Sequence, residues 1–323
     1  MTRCLLEREG LRLEIDAALG GAITGLWLRS PIGDFTPLLR PTPPGSIHAR
    51  DTACFVMAPW VNRFPGGVLV FGGERHVLPA NWPGDGPGDA PNGGTLHGLA
   101  HARAWRVLDR SPVSARLALD ARGDAAAPWP WDWTGTLRYE LRPGGLDARI
   151  EVTNASARPM PCGVGFHPYF PRVLWDARDR VRVRLPATGR YPLRAHIPTG
   201  DARDDDLCRA LRDGTTLDAH APLDDVFTLH AGAWEIIWPA SGVRATFEVS
   251  AELAHAVLYA PASGVGGACP WFCVEPVSMA TDAFGLAARG EAEPARVGAR
   301  TLGACERLGA TWRLRVERVH GAA

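Results

Sequence analysis

Glu275 stands in the run Trp271-Phe272-Cys273-Val274-Glu275-Pro276, which otherwise reads as a strand buried along its length. A lone carboxylate in apolar surroundings is costly. Such a group has a charged partner, a raised pKa or a chemical task. His167, in "GFHPYF" (165–170), poses the same question. Pro168 confines it to extended backbone, and Phe166, Tyr169 and Phe170 suggest a half-buried wall. Two more segments carry polar groups where a plain sandwich has no need of them. "APWVNRFPGG" (58–67) holds Asn62 and Arg63 between Trp60 and a turn, and "GTLHGLAHARAW" (94–105) holds His97 ahead of Gly98. A carboxylate and an imidazole can serve general acid–base catalysis. Each also has a structural use: Glu275 paired with an arginine, His167 hydrogen-bonded in a core, Arg63 anchoring a loop, His97 simply lying in one. Residue type alone leaves both readings open.

Other chemistries are narrowed by what the chain lacks. It contains no lysine, so all 35 basic residues are arginines, and Schiff-base catalysis and the phosphate-binding lysine of a P-loop are excluded. "HGLAH" sets His97 and His101 four apart, but it contains glycine and lacks the glutamate of HExxH. On a strand the two would share a face, which keeps a metal pair open. Cys269-x3-Cys273 has no second pair to complete a zinc set. "GDGPGD" and "GVGG" do not sit between a strand and a helix, as a nucleotide loop requires, and no G-x-S-x-G elbow occurs. Asp204-Asp205-Asp206 reads as a helix start or a solvated turn. With 35 acidic residues against 35 basic ones, nothing points to nucleic acid or to a charged membrane surface. The seven cysteines are irregularly spaced with no CxxC, and the charged N-terminus "MTRCLLEREG" does not suit a secretory leader. No apolar run reaches the ~18 residues of a membrane span. These features predict a reduced cytoplasmic protein with mostly buried thiols.

The elements that must hold the polar groups are short and alternating. "LRLEIDAALGGAITGLWLR" breaks at Gly20-Gly21 like a hairpin, and "WTGTLRYELRPGGLDARIEVTNAS" (133–156) is a strand, a "PGG" turn and a second strand. Similar runs follow at 179–187, 224–230, 234–251, 255–261, 271–277 and 311–319. Helical periodicity is confined to "DDDLCRALRDG" (204–214), with Gly214 as its stop. Many short strands with Gly/Pro turns predict an all-β protein, a large antiparallel sandwich or barrel. The Pro/Gly-rich piece 79–94 has strand-like flanks and no shift of composition, so it reads as a surface loop near a site rather than a linker. Residues 1–323 are expected to form one domain.

Taken in order, "NRFPGG", "LHGLAHARAW", "NASARPMPCGVGFHPYF", "LDDVF" and "FCVEPVSMATDAF" resemble the aldose 1-epimerase (galactose mutarotase) family over roughly residues 10 to 318. The resemblance implies a single large antiparallel β-sandwich. It also implies a cofactor-independent enzyme, with no metal, that interconverts the α and β anomers of a small-molecule sugar. It makes Glu275 the base toward the anomeric hydroxyl and His167 the acid toward the ring oxygen. Arg63, His97 and Asp224 would hold sugar hydroxyls, with Asn62 a lesser contact. Asp224 is chosen over Asp225 because the family places this aspartate three residues before the phenylalanine. Trp60, Trp82 and Trp271 are candidate platforms for a sugar face. The chain departs from the family at Ala304-Cys305-Glu306, where a Pro-Gly-Glu turn is usual. That is expected to alter a turn and leave the site alone. The alternatives are a hexose-6-phosphate mutarotase or other sugar isomerase on the same scaffold, and a non-catalytic carbohydrate-binding protein. Arg103 and Arg106 are conceivable phosphate ligands for the former, but in a chain whose only long cation is arginine they indicate little.

Overall fold

The alternating segments do pair as hairpins. Leu11–Asp16 and Ala22–Arg29 run antiparallel around Gly20-Gly21, with Leu13 opposite Leu26. Trp133–Arg142 and Gly145–Asn154 pair over their full lengths, from Trp133 opposite Asn154 to Arg142 opposite Gly145. The computed structural model describes residues 2–82, 94–124, 129–261 and 269–319. Within them the strands build two large antiparallel sheets, one of ten strands and one of nine.

The first sheet carries the residues of interest. Its order runs Arg3–Arg8, Leu11–Asp16, Ala22–Arg29, Cys54–Met57, Gly165–Pro171, Trp271–Val277, His255–Ala260, Leu223–Leu229 and Ala187–Arg190, with Phe35–Leu39 added on Ala22–Arg29. The second sheet centres on Gly145–Asn154, Arg307–Arg318 and Val243–Val249. Side chains on a strand alternate between faces, and this decides the layering. Phe166 and Phe170 point into the sandwich, where their rings lie 5.7 Å from Trp312 and 5.5 Å from Phe247 on the second sheet. His167 and Tyr169 therefore point the other way. Phe272 follows Phe170 into the core, which leaves Trp271, Cys273 and Glu275 on the face of His167. The strand Trp271–Val277 is covered on both faces, every residue but Trp271 being buried.

Helix is sparse, and one helix matches the expectation. Asp206–Asp213 starts at Asp205, whose carboxylate accepts the N–H of Cys208 at 2.9 Å, and stops at Gly214 with φ of 83°. Ala283–Ala288 and Pro294–Val297 are further short helices that the sequence did not announce. Neither reaches two full turns, too short for a 3.6-residue pattern to emerge. Among the described residues no helix is long and apolar enough to cross a membrane. Cys4, Cys54, Cys162, Cys208 and Cys273 are buried thiols, Cys269 is half-buried and Cys305 exposed. Cys305 occupies a left-handed turn position, φ 62°, at an exposed bend.

Candidate active site

Pro168 and Pro276 shape the centre of the first sheet. Neither has an N–H to give to a ladder. Between Gly165–Pro171 and Trp271–Val277, partners are recorded only on either side of them: Gly165 opposite Val277, then Tyr169 opposite Cys273. His167 and Glu275 face each other in the gap. His167 Nε2 lies 3.2 Å from Glu275 Oε1, and the two side chains are 6% and 2% exposed. Phe55, opposite His167, and Val257, opposite Glu275, extend the pair into a row across four strands.

The imidazole is held by stacking. Phe55 lies on one side of it, ring centres 4.5 Å apart and planes 25° apart, and Tyr169 on the other at 4.6 Å and 26°. The guanidinium of Arg40 caps Tyr169 at 3.7 Å and comes within 5.0 Å of the Trp271 ring. Arg40 donates through Nη2 to the carbonyls of Arg50 and Thr52, at 2.8 and 2.9 Å, and among the described residues it meets no carboxylate. Burial, then the nearby Arg40 charge, depress His167 to a pKa of about 3. Burial, helped by Asp224, raises Glu275 well above the ordinary carboxylate range. Burial thus favours the uncharged form of each group, a carboxyl beside a neutral imidazole.

Two loop segments are brought to this pair by a small sheet of their own. Arg63 pairs with Leu96 and Phe64 with Thr95, and His97 N–H donates to Asn62 O at 2.8 Å. Asn62 and His97 both have left-handed backbone, φ 52° and 60°, uncommon for residues with a side chain and frequent at functional sites. Asn81 braces the strip: its side chain donates to the carbonyls of Leu96 and Gly98 and accepts from Leu96 N–H, at 2.7–3.0 Å. His97 meets His167 edge-on at 5.2 Å, and its Nδ1 lies 3.0 Å from the sulfur of Met57. Burial, then His167, keep it neutral, with a pKa well below the usual imidazole value.

Asp224 and Asp225 part company on their strand. Asp224 Oδ2 is 2.8 Å from His196 Nδ1 and 3.9 Å from Arg63 Nη2. Asp225 binds Arg190 at 3.3 Å and does not line the cavity. Around Glu275 and His167 opens a cavity of about 960 Å³, lined also by Asn62, Arg63, His97 and Asp224. All six sequence candidates are thus brought together. Asn62 Nδ2, His167 Nδ1 and Glu275 Oε2 are buried without a hydrogen-bond partner among the described residues. Buried polar atoms left in this state usually await a ligand or water.

Some expectations shift. Trp82 and Trp271 line the cavity, but Trp60 does not. It is fully buried, stacked on Trp129 at 5.1 Å and near Phe64. His101 sits in the turn Ala100–Ala102, outside the main cavity. Arg103 pairs with Asp124 at 2.7 Å and Arg106 is exposed, neither lining the cavity. Of the loop 79–94, residues 83–93 lie outside the described residues, as do "GDGPGD" and "GVGG". Arg40, His196 and Tyr259, which line the cavity, and the bracing Asn81 went unnoticed in the sequence. A lone arginine, asparagine or tyrosine among ordinary neighbours carries no local signal, and only the fold aims these side chains.

Residues 5–293 match the sequence profile described as aldose 1-epimerase. The chain is 27% identical over 289 residues to the uncharacterized protein YphB of Escherichia coli strain K12, covering 87% of this chain and 90% of that one. A crystal structure of an Escherichia coli K12 protein, assigned provisionally as an aldose 1-epimerase, superposes with a TM-score of 0.81 at 25% identity, over 98% of this chain and 99% of the other. A galactose mutarotase-like protein from Clostridium acetobutylicum shares the fold at a TM-score of 0.80 and 19% identity, over 98% and 95% of the two chains.

Proposed function

Since the chain belongs to the aldose 1-epimerase family, we propose that it interconverts the α and β anomers of a free aldose with Glu275 and His167 as its acid–base pair. The observation that carries this reading is the 3.2 Å contact between two buried titratable groups beside a sugar-sized cavity. Ring opening removes the proton on O1 and delivers one to O5, as the C1–O5 bond breaks and C1=O1 forms. Carboxylate Glu275 takes the first and imidazolium His167 gives the second. After rotation about C1–C2, the neutral imidazole takes the O5 proton as O5 attacks C1, and the carboxyl returns a proton to O1. The pair ends with the proton count it began with. Its resting form, proton on Glu275, becomes the ring-opening form when that proton passes across the 3.2 Å contact to His167. Burial serves both halves, because an uncompensated carboxylate is a stronger base and an uncompensated imidazolium a stronger acid.

The test is polarimetry or NMR of freshly dissolved α-D-glucose, α-D-galactose and several pentoses. Faster equilibration of at least one sugar is expected; acceleration of none would refute the assignment. A sugar phosphate is the second reading, favoured by Arg40 and Arg50 on the cavity wall, with no carboxylate paired to Arg40 among the described residues. Faster equilibration of glucose 6-phosphate than of glucose would select it. A purely binding protein would have no use for the acid–base pair.

The two aspartates give a contrast within one strand. Asp224→Asn is expected to lower kcat/KM about tenfold, or ~1.4 kcal/mol of transition-state stabilisation, through loss of the carboxylate between Arg63 and His196. Asp225→Asn, which breaks only the Arg190 pair, should stay within about twofold, since substitutions away from a site shift energies by ~0.5 kcal/mol or less. Equal losses would reject the choice of Asp224. Arg40 is expected to act on the pH profile. Its charge disfavours imidazolium at His167, so Arg40→Met raises the pKa of that imidazole. The doubly protonated, inactive pair then sets in at higher pH, and the acid limb of kcat/KM moves up. An unmoved limb would show that Arg40 does not tune the acid.

A further inference from the structure

Cys273 is the unused member of the central cluster. It lies two residues before Glu275 on the same face of the same strand, opposite Tyr169, fully buried and outside the cavity lining. One donor atom each from His167, Cys273 and Glu275 falls within 4.8 Å of the other two. The proposed acid–base reaction has no task for a thiol. We propose that these three side chains form a binding site for a soft divalent cation, zinc or cadmium, and that occupancy switches the enzyme off. The inhibitory half rests on the acid–base reading of His167 and Glu275, while the binding half does not.

The donor set is selective in kind. One imidazole nitrogen, one thiolate sulfur and one carboxylate oxygen suit zinc and cadmium and are poor ligands for magnesium or calcium, which want oxygen alone. Three protein ligands leave a fourth position for water, and here that position would face the cavity. Geometry agrees in part. Zinc bonds of about 2.0–2.3 Å in a tetrahedron put ligand atoms about 3.3–3.6 Å apart. The His167–Glu275 separation of 3.2 Å is already there. From an outer separation of 4.8 Å, Cys273 needs a shift of up to about 1.5 Å to close the triangle. Charge agrees as well. Binding displaces one proton from the carboxyl and one from the thiol, so the dication, one carboxylate and one thiolate leave a centre of zero net charge. A neutral centre escapes most of the cost of burying ions. The support behind the ligands is weak, since Nδ1 of His167 has no hydrogen-bond partner among the described residues, whereas a firmly held metal usually has its histidines braced. An exchangeable inhibitory ion fits this better than a resident one. The ion would occupy both proton-transfer groups at once.

The test starts from a Cys269→Ser/Cys305→Ser background, which removes the two thiols with solvent access. Cadmium titration of this protein should produce the ultraviolet cadmium–thiolate band with one ion per chain, and zinc should inhibit anomer interconversion. Cys273→Ala and Cys273→Ser, checked for folding by circular dichroism, should keep the basal rate within about twofold, lose the band, and need at least about tenfold more zinc for half-inhibition. His167→Asn should weaken cadmium binding from the neighbouring strand without touching the thiol. A band that survives in both Cys273 variants, zinc inhibition unchanged in them, or activation by zinc would overturn the proposal. Because the cadmium band needs no turnover, a protein that binds cadmium yet equilibrates no sugar would refute the proposed function and leave the metal site standing.

Discussion

Glu275→Gln is expected to slow anomer interconversion by about 10²–10⁴-fold while leaving the protein folded. Glutamine matches the volume of glutamate, so packing against Val257 and His167 survives, but the pair loses its shared proton. It can then neither accept from O1 nor return a proton to it. His167→Asn should cost a similar factor, because asparagine has no titratable proton to give to O5. The two act as one device, so the double variant should be little slower than the slower single one. Polarimetry on α-D-glucose and α-D-galactose reads all three. Full rates in either single variant would remove that residue from the mechanism. Thermal stability should hold steady or rise in Glu275→Gln. The native carboxyl is buried with Oε2 unpartnered, and such groups are kept for function at the expense of stability. A large fall in Tm would show that Glu275 is chiefly a structural group.

Gly98→Ala is expected to damage both stability and substrate binding, although Gly98 touches no substrate in the proposed mechanism. Its backbone is left-handed, φ +73°, and a Cβ there would lie 2.1 Å from the carbonyl oxygen of Ala58. That oxygen cannot retreat freely, since it accepts the N–H groups of Leu99 and Ala100 at 2.6 and 3.0 Å. The left-handed conformation alone costs an L-residue about 1–3 kcal/mol, and moving the strip away from Ala58 adds to it. The strip carries His97, whose N–H ties it to Asn62, so both side chains should lose their places on the cavity wall. The expected outcome is a Tm lower by several degrees and KM raised more than kcat is lowered, read by calorimetry and by steady-state kinetics. An alanine variant with wild-type KM would show that the His97 strip is not a substrate contact.

How much was legible beforehand differs from residue to residue. Glu275 announced itself because a carboxylate interrupts a run of Trp, Phe, Cys and Val, and burial makes that run expensive unless the carboxylate is used. His167 announced itself through proline and aromatic neighbours, which turn out to be the stacking partner Tyr169, the core anchors Phe166 and Phe170, and the ladder-breaking Pro168. Asp224 was separated from Asp225 by family resemblance, and strand geometry then gives the two carboxylates different partners. Trp60 misled because a tryptophan beside "NR" looks like a sugar platform. Its ring instead fills the core against Trp129, a contact between segments far apart in the chain. Arg40 was invisible, since an arginine that stacks on a tyrosine has no local signature when arginine is the only long cation.

The sequence by itself determined the strand periodicity, the hairpin turns, the short helix after Asp205 and the identity of the groups able to move protons, because these depend on neighbours within a few residues. Tertiary structure alone decided that His167 and Glu275 meet at 3.2 Å, that Phe55 and Tyr169 clamp the imidazole, that Arg40 lends its charge from beyond Tyr169, and that Cys273 lies beside the pair. Those relations rest on which strands lie side by side and on which face of the sheet each side chain emerges. Register between distant strands is fixed by the packing of the whole sandwich, and no local stretch of residues contains it.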